Sequence, residues 1–151
     1  MQGVGYVEEN AMEHKGTKYM ETERLILRPY IAEDAQAMYD NWASDQDVTR
    51  YLMWPAHSNT SVSESVLQEW IANYSKMDYY HWAIVYKEVS EEPIGDIAVV
   101  SPIDEKIQSA HIGYCIGKAW WHKGITSEAL RAVMDFLFDE VGVNRIESRH
   151  D

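Results

Sequence analysis

The chain has 151 residues, of which 46% are hydrophobic and 25% are charged. These values are typical of one ordinary globular domain and exclude a disordered or fibrous protein. The 13 Lys and Arg residues against 25 Asp and Glu residues give a net charge of −12. This balance argues against general affinity for nucleic acid or for an anionic membrane. The single cysteine, Cys115, excludes an internal disulfide framework and a zinc site with several cysteines.

No stretch of the sequence approaches the ~18 consecutive apolar residues that a membrane helix requires. The beginning of the chain also lacks the apolar block of a signal peptide. We therefore expect a cytoplasmic protein whose partners include neither nucleic acid nor a membrane. Residues 1–20 are polar and without periodicity, which predicts a loose N-terminal extension before a packed domain over residues 21–151.

The packed domain is predicted to open with a strand followed by a helix. Residues 24–28 are a short apolar run with charged flanks, and Pro29, which cannot donate to a strand ladder, ends it. The acidic pair Glu33 and Asp34 suits the positive end of a helix. Apolar residues then recur at helical spacing, at Ala35, Met38, Tyr39 and Trp42.

A second helix is predicted from the capping pattern of Ser61 and Glu64. Its apolar face would consist of Val66, Leu67, Trp70, Ile71 and Tyr74. Residues 51–55, which end in Pro55, are predicted to form an apolar loop, because proline disfavours the helical conformation of the residue before it.

The second half of the chain is predicted to contain strands and one more helix. Residues 82–86, 94–100 and 107–116 are predicted strands, and their short polar connections favour an antiparallel meander. A helix follows Gly124 and ends at Gly142, and residues 143–147 predict one more strand. That strand would run parallel to the last meander strand. The element order predicts an α+β, or mixed α/β, domain rather than a doubly wound one.

Residues 113–130 are the most informative segment for function. They predict a strand ending in glycine, a turn rich in aromatic and basic residues, and a helix that begins at Gly124. The N–H groups at a helix N-terminus hold a phosphate even when the protein is acidic overall. A P-loop is excluded, because Lys123 precedes the glycine instead of following it. A plain strand-to-helix turn, in which glycine only relieves strain, is the alternative.

The same segment resembles the acetyl-CoA-binding motif of the GNAT superfamily of N-acetyltransferases, whose loop reads Gln/Arg-x-x-Gly-x-Gly/Ala. The resemblance is closer to the branch of RimJ/RimL-type ribosomal-protein N-acetyltransferases. That branch opens with Glu-Thr-Glu-Arg-Leu-Ile-Leu-Arg-Pro, as residues 21–29 do here. It also shows Ile-Gly-Tyr-Trp-Ile-Gly and Trp-Gly-x-Gly-x-Ala-x-Glu-Ala, which are similar to residues 112–117 and 121–129. This sequence departs from the branch at His122, where glycine is common, and at Thr126.

The resemblance implies a GNAT fold, a mixed and mostly antiparallel sheet flanked by helices. It also implies direct transfer of an acetyl group from acetyl-CoA, the co-substrate, to an amine, without a metal. Backbone groups of Tyr114, Cys115 and Ile116 would hold the pantetheine arm, and those of Tyr114 would polarise the thioester carbonyl. The remaining cofactor-binding residues implied by the resemblance are Trp121, His122, Lys123, Gly124, Ile125, Thr126 and Ser127.

The branch often carries a glutamate, suited to a general base, at the position of His111. Imidazole has a reference pKa of ~6.5, which suits base catalysis near neutrality; a strand histidine paired with a neighbouring carbonyl is the alternative. A metal pair of His111 and Cys115 lacks further ligands at a recognisable spacing. Cys115 is expected to be a small core residue.

The acceptor is expected to be a peptide or protein α-amine or a small-molecule amine. At pH 7 a lysine amine costs about 4–5 kcal/mol to deprotonate, whereas an α-amine costs only about 1 kcal/mol, which favours the α-amine. Aromatic side chains between the first two helices and before the second strand are candidates for the acceptor wall, and ordinary core packing is the alternative for each. They are Trp42, Tyr51, Trp54, Tyr79, Tyr80 and, with them, His81.

In the related branch the chain continues beyond residues 149–151 into a further helix and two strands, which usually carry the general acid. Without that segment, the last strand would have a free edge and an exposed apolar residue at Ile146. We therefore expect a homodimer or higher homo-oligomer. The alternative function is a catalytically impaired CoA-binding or self-associating module.

Overall fold

The computed structural model describes residues 13–49, 56–99, 103 and 109–149, and the statements below concern these residues. A six-stranded sheet has its strands in chain order. The strands are β1 (Met20–Glu21), β2 (Leu25–Arg28), β3 (His81–Tyr86), β4 (Pro93–Val99), β5 (Ser109–Ile116) and β6 (Arg145–Arg149).

The first five strands pair antiparallel with their neighbours, and β6 pairs parallel to β5. The predicted meander of β3, β4 and β5 is therefore confirmed, as is the parallel direction of the final strand. The parallel register joins Ser109 to Arg145 and continues as far as Gly113 and Arg149. Together with the helices, this sheet confirms the predicted mixed α+β fold class.

Four α-helices accompany the sheet in the described parts of the chain. They are α1 (Ala35–Met38), α2 (Gln46–Thr49), α3 (Thr60–Ala72) and α4 (Ile125–Phe136). A 3-10 turn, Ala32–Asp34, precedes α1, and a π-helical turn, Tyr39–Ala43, continues it. A second π-helical turn, Leu137–Val141, continues α4, and a 3-10 turn, Lys118–Trp120, follows β5.

The sheet has a hydrophobic core on each face. Helix α4 covers one face with Ile125, Ala129, Val133 and Phe136, which pack against alternate strand residues such as Ile112. Helices α1 and α3 cover the other face. Their buried residues are Ala35, Met38 and Trp42 from α1 and its π-helical turn, and Leu67 from α3, packed near Ala83 and Cys115. The predicted apolar faces of all three helices are thus confirmed.

The start of α3 differs from the prediction. Its N-cap is Asn59, whose side chain accepts a hydrogen bond from the backbone N–H of Val62 at 3.3 Å, and not Ser61. Asparagine and serine are comparably good caps, and the helix begins two residues earlier than Ser61 predicts. At the other helix the prediction is confirmed, because Gly124 precedes α4 and Gly142 follows its π-helical turn.

Residues 13–20, which the sequence predicts to be loose, contact the body of the protein. Met20 pairs with Leu27 in the sheet. The indole N–H of Trp82 donates to the carbonyl of Lys18 at 2.6 Å, and the N–H of Gly16 donates to the carbonyl of Met77 at 2.8 Å. The described part of this segment therefore runs along the sheet and the end of α3.

Parts of several predicted elements lie outside the described residues. They are residues 1–12, the loop 51–55, and the strand ends at Val100, Ile107 and Gln108. Among the described helices, none combines the length and the apolar character that a membrane crossing requires.

Strands β4 and β5 approach closely at Gly95, so a larger side chain at this position is expected to lower the stability of the fold. A Cβ atom on Gly95 would lie 2.3 Å from the carbonyl oxygen of Cys115 and 2.7 Å from the Cα of Ile116. Both are backbone atoms of β5 that cannot rotate away, so Gly95→Ala is expected to lower the free energy of unfolding by about 3 kcal/mol. Urea denaturation checks this value. The control, Ala98→Gly on the same strand, is expected to cost about 1 kcal/mol; equal losses for both variants would contradict the close approach.

Candidate active site

The candidate site begins at the C-terminal end of β5. Strand β4 pairs with β5 as far as Ile116, whereas the described pairing with β6 reaches only Gly113. Because the N–H of Gly117 donates to the carbonyl of Ile94 on β4, alternation directs the backbone groups of Tyr114 and Ile116 toward the opposite edge. Ile116 therefore lies beyond the last described β5–β6 pair with its backbone groups directed away from β4, whereas the pair of Gly113 with Arg149 takes up the N–H of Tyr114.

Two aromatic contacts fix the turn that leaves β5. The indole N–H of Trp121 donates to the carbonyl of Ile116 at 3.0 Å. At Gly117 the backbone lies against the ring of Trp120 and the carbonyl of Asn41, and a Cβ atom there would meet them at 2.6 and 2.5 Å. The aromatic residues of this turn thus anchor the loop that follows to the end of the strand.

The loop that follows exposes its backbone at the start of α4. His122 and Gly124 both have positive φ angles, of 66° and 75°, and residues 122–124 are exposed. Among the described residues, the N–H groups of residues 124–127 make no backbone hydrogen bond. The first residues of any helix leave such donors free, and the helix dipole adds a partial positive charge. This arrangement suits an anionic ligand.

His111 lies on the same face of β5 as Gly113 and Cys115, the face that α1 and α3 cover. Its Nδ1 is 3.3 Å from Oε1 of Glu147, its register partner on β6. The side chains are 44% and 60% exposed, so both reach solvent. The sequence analysis did not select Glu147, because the register of the two strands, and not any local motif, brings it to His111.

The candidate acceptor residues do not all lie on one face of the sheet. Trp42 is fully buried in the core beneath α1 and α3, and its indole N–H has no hydrogen-bond partner among the described residues. Tyr80 belongs to the opposite core, where its ring contacts Phe136 and its hydroxyl lies 2.9 Å from Nδ1 of His14. The structure thus separates Tyr80 from Trp42. Two further predicted wall residues, Tyr51 and Trp54, lie outside the described residues.

A second histidine–carboxylate pair lies on the Trp42 side of the sheet. Nε2 of His81 is 2.9 Å from Oδ2 of Asp96, and its Nδ1 is 3.0 Å from the hydroxyl of Tyr79. The side chains of His81 and Asp96 are 9% and 15% exposed. Burial, and secondarily the charge of Asp96, raises the pKa of Tyr79 to about 12, so this phenol stays protonated and is able to donate to the imidazole. Sequence reasoning identified His81 and Tyr79 but not Asp96.

Cys115 has no role as a thiolate. It is buried and unpaired, and burial, followed by the charge of Asp96, raises the pKa of its thiol well above its usual value. The expectation of a small core residue agrees with its place in the core near Trp42. Among the described residues, no group of three or more His, Cys, Asp or Glu side chains is placed to hold a metal ion.

A depression on the outer side of α4 is chemically unsuited to a phosphate ligand. It is lined by Glu21, Thr22, Glu23, Ser127, Glu128, Arg131, Ala132 and Asp135. Four of these residues are acidic and one is basic, so the depression disfavours an anion. The start of α4, at residues 122–127, has no such cluster of acidic residues.

The family follows from comparison with known proteins. Residues 24–151 match the acetyltransferase (GNAT) domain family. The uncharacterized N-acetyltransferase p20 of Bacillus licheniformis is 33% identical over 128 residues, which are 85% of this chain and 70% of that protein. The uncharacterized N-acetyltransferase YoaA of Bacillus subtilis is 32% identical over 127 residues, 84% of this chain and 70% of that protein. The chain belongs to the GNAT acetyltransferase family and is an acyltransferase.

Solved structures share the fold at lower identity. A GNAT-family acetyltransferase from Bacillus anthracis has a TM-score of 0.71 and 20% identity, covering 87% of this chain and 72% of that one. RimL, a ribosomal L7/L12 α-N-protein acetyltransferase solved with coenzyme A, has a TM-score of 0.71 and 18% identity, covering 85% of this chain and 72% of that one. The microcin C7 self-immunity acetyltransferase MccE, solved with acetyl-CoA and AMP, has a TM-score of 0.65 and 21% identity, covering 81% of this chain and 66% of that one. Because identity is this low, these structures show the fold alone.

The positive φ angle of His122 generates a prediction about the loop. A β-branched side chain tolerates this conformation poorly, so His122→Val is expected to lower the free energy of unfolding by about 1–2 kcal/mol, whereas His122→Gly is expected to lose nothing. Urea denaturation measures both variants. Lys123→Val is the control, because this neighbour has no positive φ angle; the same loss in His122→Val and Lys123→Val would contradict the loop conformation.

Proposed function

We propose that this protein transfers the acetyl group of acetyl-CoA to an amine in a ternary complex. The observation that carries the proposal is the junction of β5 with α4, where an exposed loop presents N–H groups at a helix N-terminus directly beyond the strand end. A phosphate group is bound by such donors without any net positive charge on the protein. Membership of the GNAT family supplies the reaction class.

In this proposal the N–H groups of residues 122–127 bind the pyrophosphate of acetyl-CoA. The hydroxyl groups of Thr126 and Ser127, in the first turn of α4, offer further donors. The pantetheine arm lies along residues 114–116 in the manner of an added strand, which uses the backbone groups that β5 directs away from β4. We assign the donor that polarises the thioester carbonyl to the N–H of Ile116, because the pairing of Gly113 with Arg149 takes up the N–H of Tyr114.

The chemical step is direct transfer. The neutral amine nitrogen attacks the thioester carbonyl carbon, a C–N bond forms, and the C–S bond breaks as the CoA thiolate departs. The proton lost by the amine goes to a general base, and a proton returns to the thiolate sulfur. We assign the base to His111, which reaches solvent and is held by Glu147 on the next strand. A carboxylate beside the imidazole orients the ring for this proton transfer.

The acceptor we propose is an α-amine of a peptide or protein. At pH 7 deprotonation of an α-amine costs only about 1 kcal/mol, so a single imidazole suffices as base. Deprotonation of a lysine amine costs about 4–5 kcal/mol. The match of residues 21–29 and 112–117 to the RimJ/RimL-type branch supports the same class of acceptor. Trp42 lies on the face that His111 shares, but its side chain is fully buried in the core, so it does not line the acceptor site.

The pyrophosphate site is tested by charge reversal in the loop. Gly124→Glu places a carboxylate at the N–H groups of α4 and is expected to abolish CoA binding measured by isothermal titration. Gly16→Glu is the matched control, because Gly16 also has a positive φ angle, of 76°, but lies beside Met77. It is expected to bind CoA like the wild type. Wild-type protein that fails to bind CoA at millimolar concentration would refute the proposal.

The assignment of the base is tested by kinetics, with thiol release from acetyl-CoA as the readout and a panel of peptide α-amines as acceptors. His111→Gln is expected to lower kcat by about 10²–10⁴-fold. Glu147→Gln is expected to lower kcat less and to leave the KM for acetyl-CoA unchanged. A His111→Gln variant with wild-type turnover would contradict the assignment. CoA binding without turnover by the wild type would contradict the proposed transfer itself.

A further inference from the structure

We propose that Arg24 is a positioning residue that sets the orientation of the loop at the start of α4 for pyrophosphate binding. This inference rests on the proposed function, because it assigns a role toward the same loop. Arg24 immediately precedes β2, and its contacts with α4 span 104 positions of the sequence.

One side of Arg24 is held by Glu128, in the first turn of α4. The Nε of Arg24 donates to Oε1 of Glu128 at 2.6 Å, and the backbone N–H of Arg24 donates to Oε2 at 2.9 Å. The hydroxyl of Thr22 also donates to Oε2. The side chains of Arg24 and Glu128 are partly buried, and Glu128 joins the Nε and the backbone N–H of Arg24, which holds the guanidinium beside the start of α4.

The other side of Arg24 reaches the loop. Nη1 donates to the carbonyl of Lys123 at 3.0 Å, and Nη2 lies 3.5 Å from the point that a Cβ on Gly124 would occupy. A trans peptide is planar, with its C=O and N–H pointing in opposite directions. Holding the Lys123 carbonyl toward Arg24 therefore turns the N–H of Gly124 to the other side of the loop, away from the guanidinium and open to a ligand.

The pair also controls charge at the helix N-terminus. Partial burial opposes ionisation of Glu128, but hydrogen bonds from Thr22 and Arg24 outweigh it, and the pKa of this carboxyl is lowered. Glu128 is therefore ionised at neutral pH and would repel a phosphate bound one turn away. The guanidinium neutralises it. Because its charge is taken up by Glu128, Arg24 acts on the ligand through the loop rather than as a free cation.

This contact also explains why two separate motifs occur together. Arg24 belongs to the opening segment 21–29, and Glu128 belongs to the loop segment 121–129. The opening segment has no other assigned role in acetyl transfer. Its second arginine, Arg28, makes a bidentate contact with the buried Asp34, at 2.8 and 2.9 Å, and its other contacts are with the carbonyls of Pro29 and Glu91, outside the loop. Arg28 therefore provides a matched control.

The test compares two ligands that share the thiol arm, CoA and pantetheine, the second of which lacks the pyrophosphate. Isothermal titration with the full chain measures both. Arg24→Gln is expected to weaken CoA binding about tenfold, because the charge-assisted contact of the guanidinium with the Lys123 carbonyl is lost. The affinity for pantetheine is expected to stay unchanged. Arg24→Lys retains the charge but lacks the fork that reaches both partners, so it is expected to weaken CoA by a smaller factor. Arg28→Gln is expected to leave the ratio of the two affinities as in the wild type.

An unchanged ratio in Arg24→Gln would overturn the inference while leaving the proposed function intact. Equal weakening of both ligands would also overturn it, because that result is general damage to the fold. A wild-type protein that binds CoA no more tightly than pantetheine would overturn the proposed pyrophosphate site as well. If Arg24→Gln does not fold, Arg24→Lys provides the comparison of the two ligands, and thermal melts identify which variants are folded.

Discussion

The architecture depends on strand β5 having two unlike neighbours. Antiparallel pairing with β4 fixes β5 along its length as far as Ile116, while the described parallel pairing with β6 ends at Gly113. The parallel partner requires a crossover, and α4 provides it by packing across one face of the sheet. The start of that crossover helix therefore lies just beyond the end of β5. The loop, the strand end and the pair of His111 and Glu147 take their places from this one arrangement.

An acidic protein thereby obtains a site for a polyanion. The net charge of −12 opposes phosphate binding at long range, but partial charges on N–H groups act within a few ångströms, where the geometry of the loop decides the interaction. The positive φ angles of His122 and Gly124 expose those groups. Pairing of Glu128 with Arg24 removes the nearest full negative charge. Local geometry at the helix start thus outweighs the overall charge.

Much of this arrangement follows from local sequence patterns. The helical spacing of Ala35, Met38 and Trp42 and the glycine that precedes α4 each place their elements correctly. What sequence alone could not supply is long-range register and backbone docking. The partner of His111 follows from a strand alignment that no local motif encodes, and Lys18 docks through its carbonyl, which is common to every residue type. Tyr80 continues the alternation of Trp82 and Ile84. Its place in the α4 core therefore follows only once β3 is known to begin at His81, the next residue.

The central claim is that acetyl-CoA binds across residues 114–116 and the loop at the start of α4. The most direct test is a titration of isotope-labelled protein with CoA, followed by backbone amide chemical shifts in nuclear magnetic resonance spectra. The account predicts that the largest shift changes fall on the amides of residues 122–127, with a second group at residues 114–116. Changes confined to the acidic depression between residues 21–23 and Arg131, with the loop amides unmoved, would contradict it.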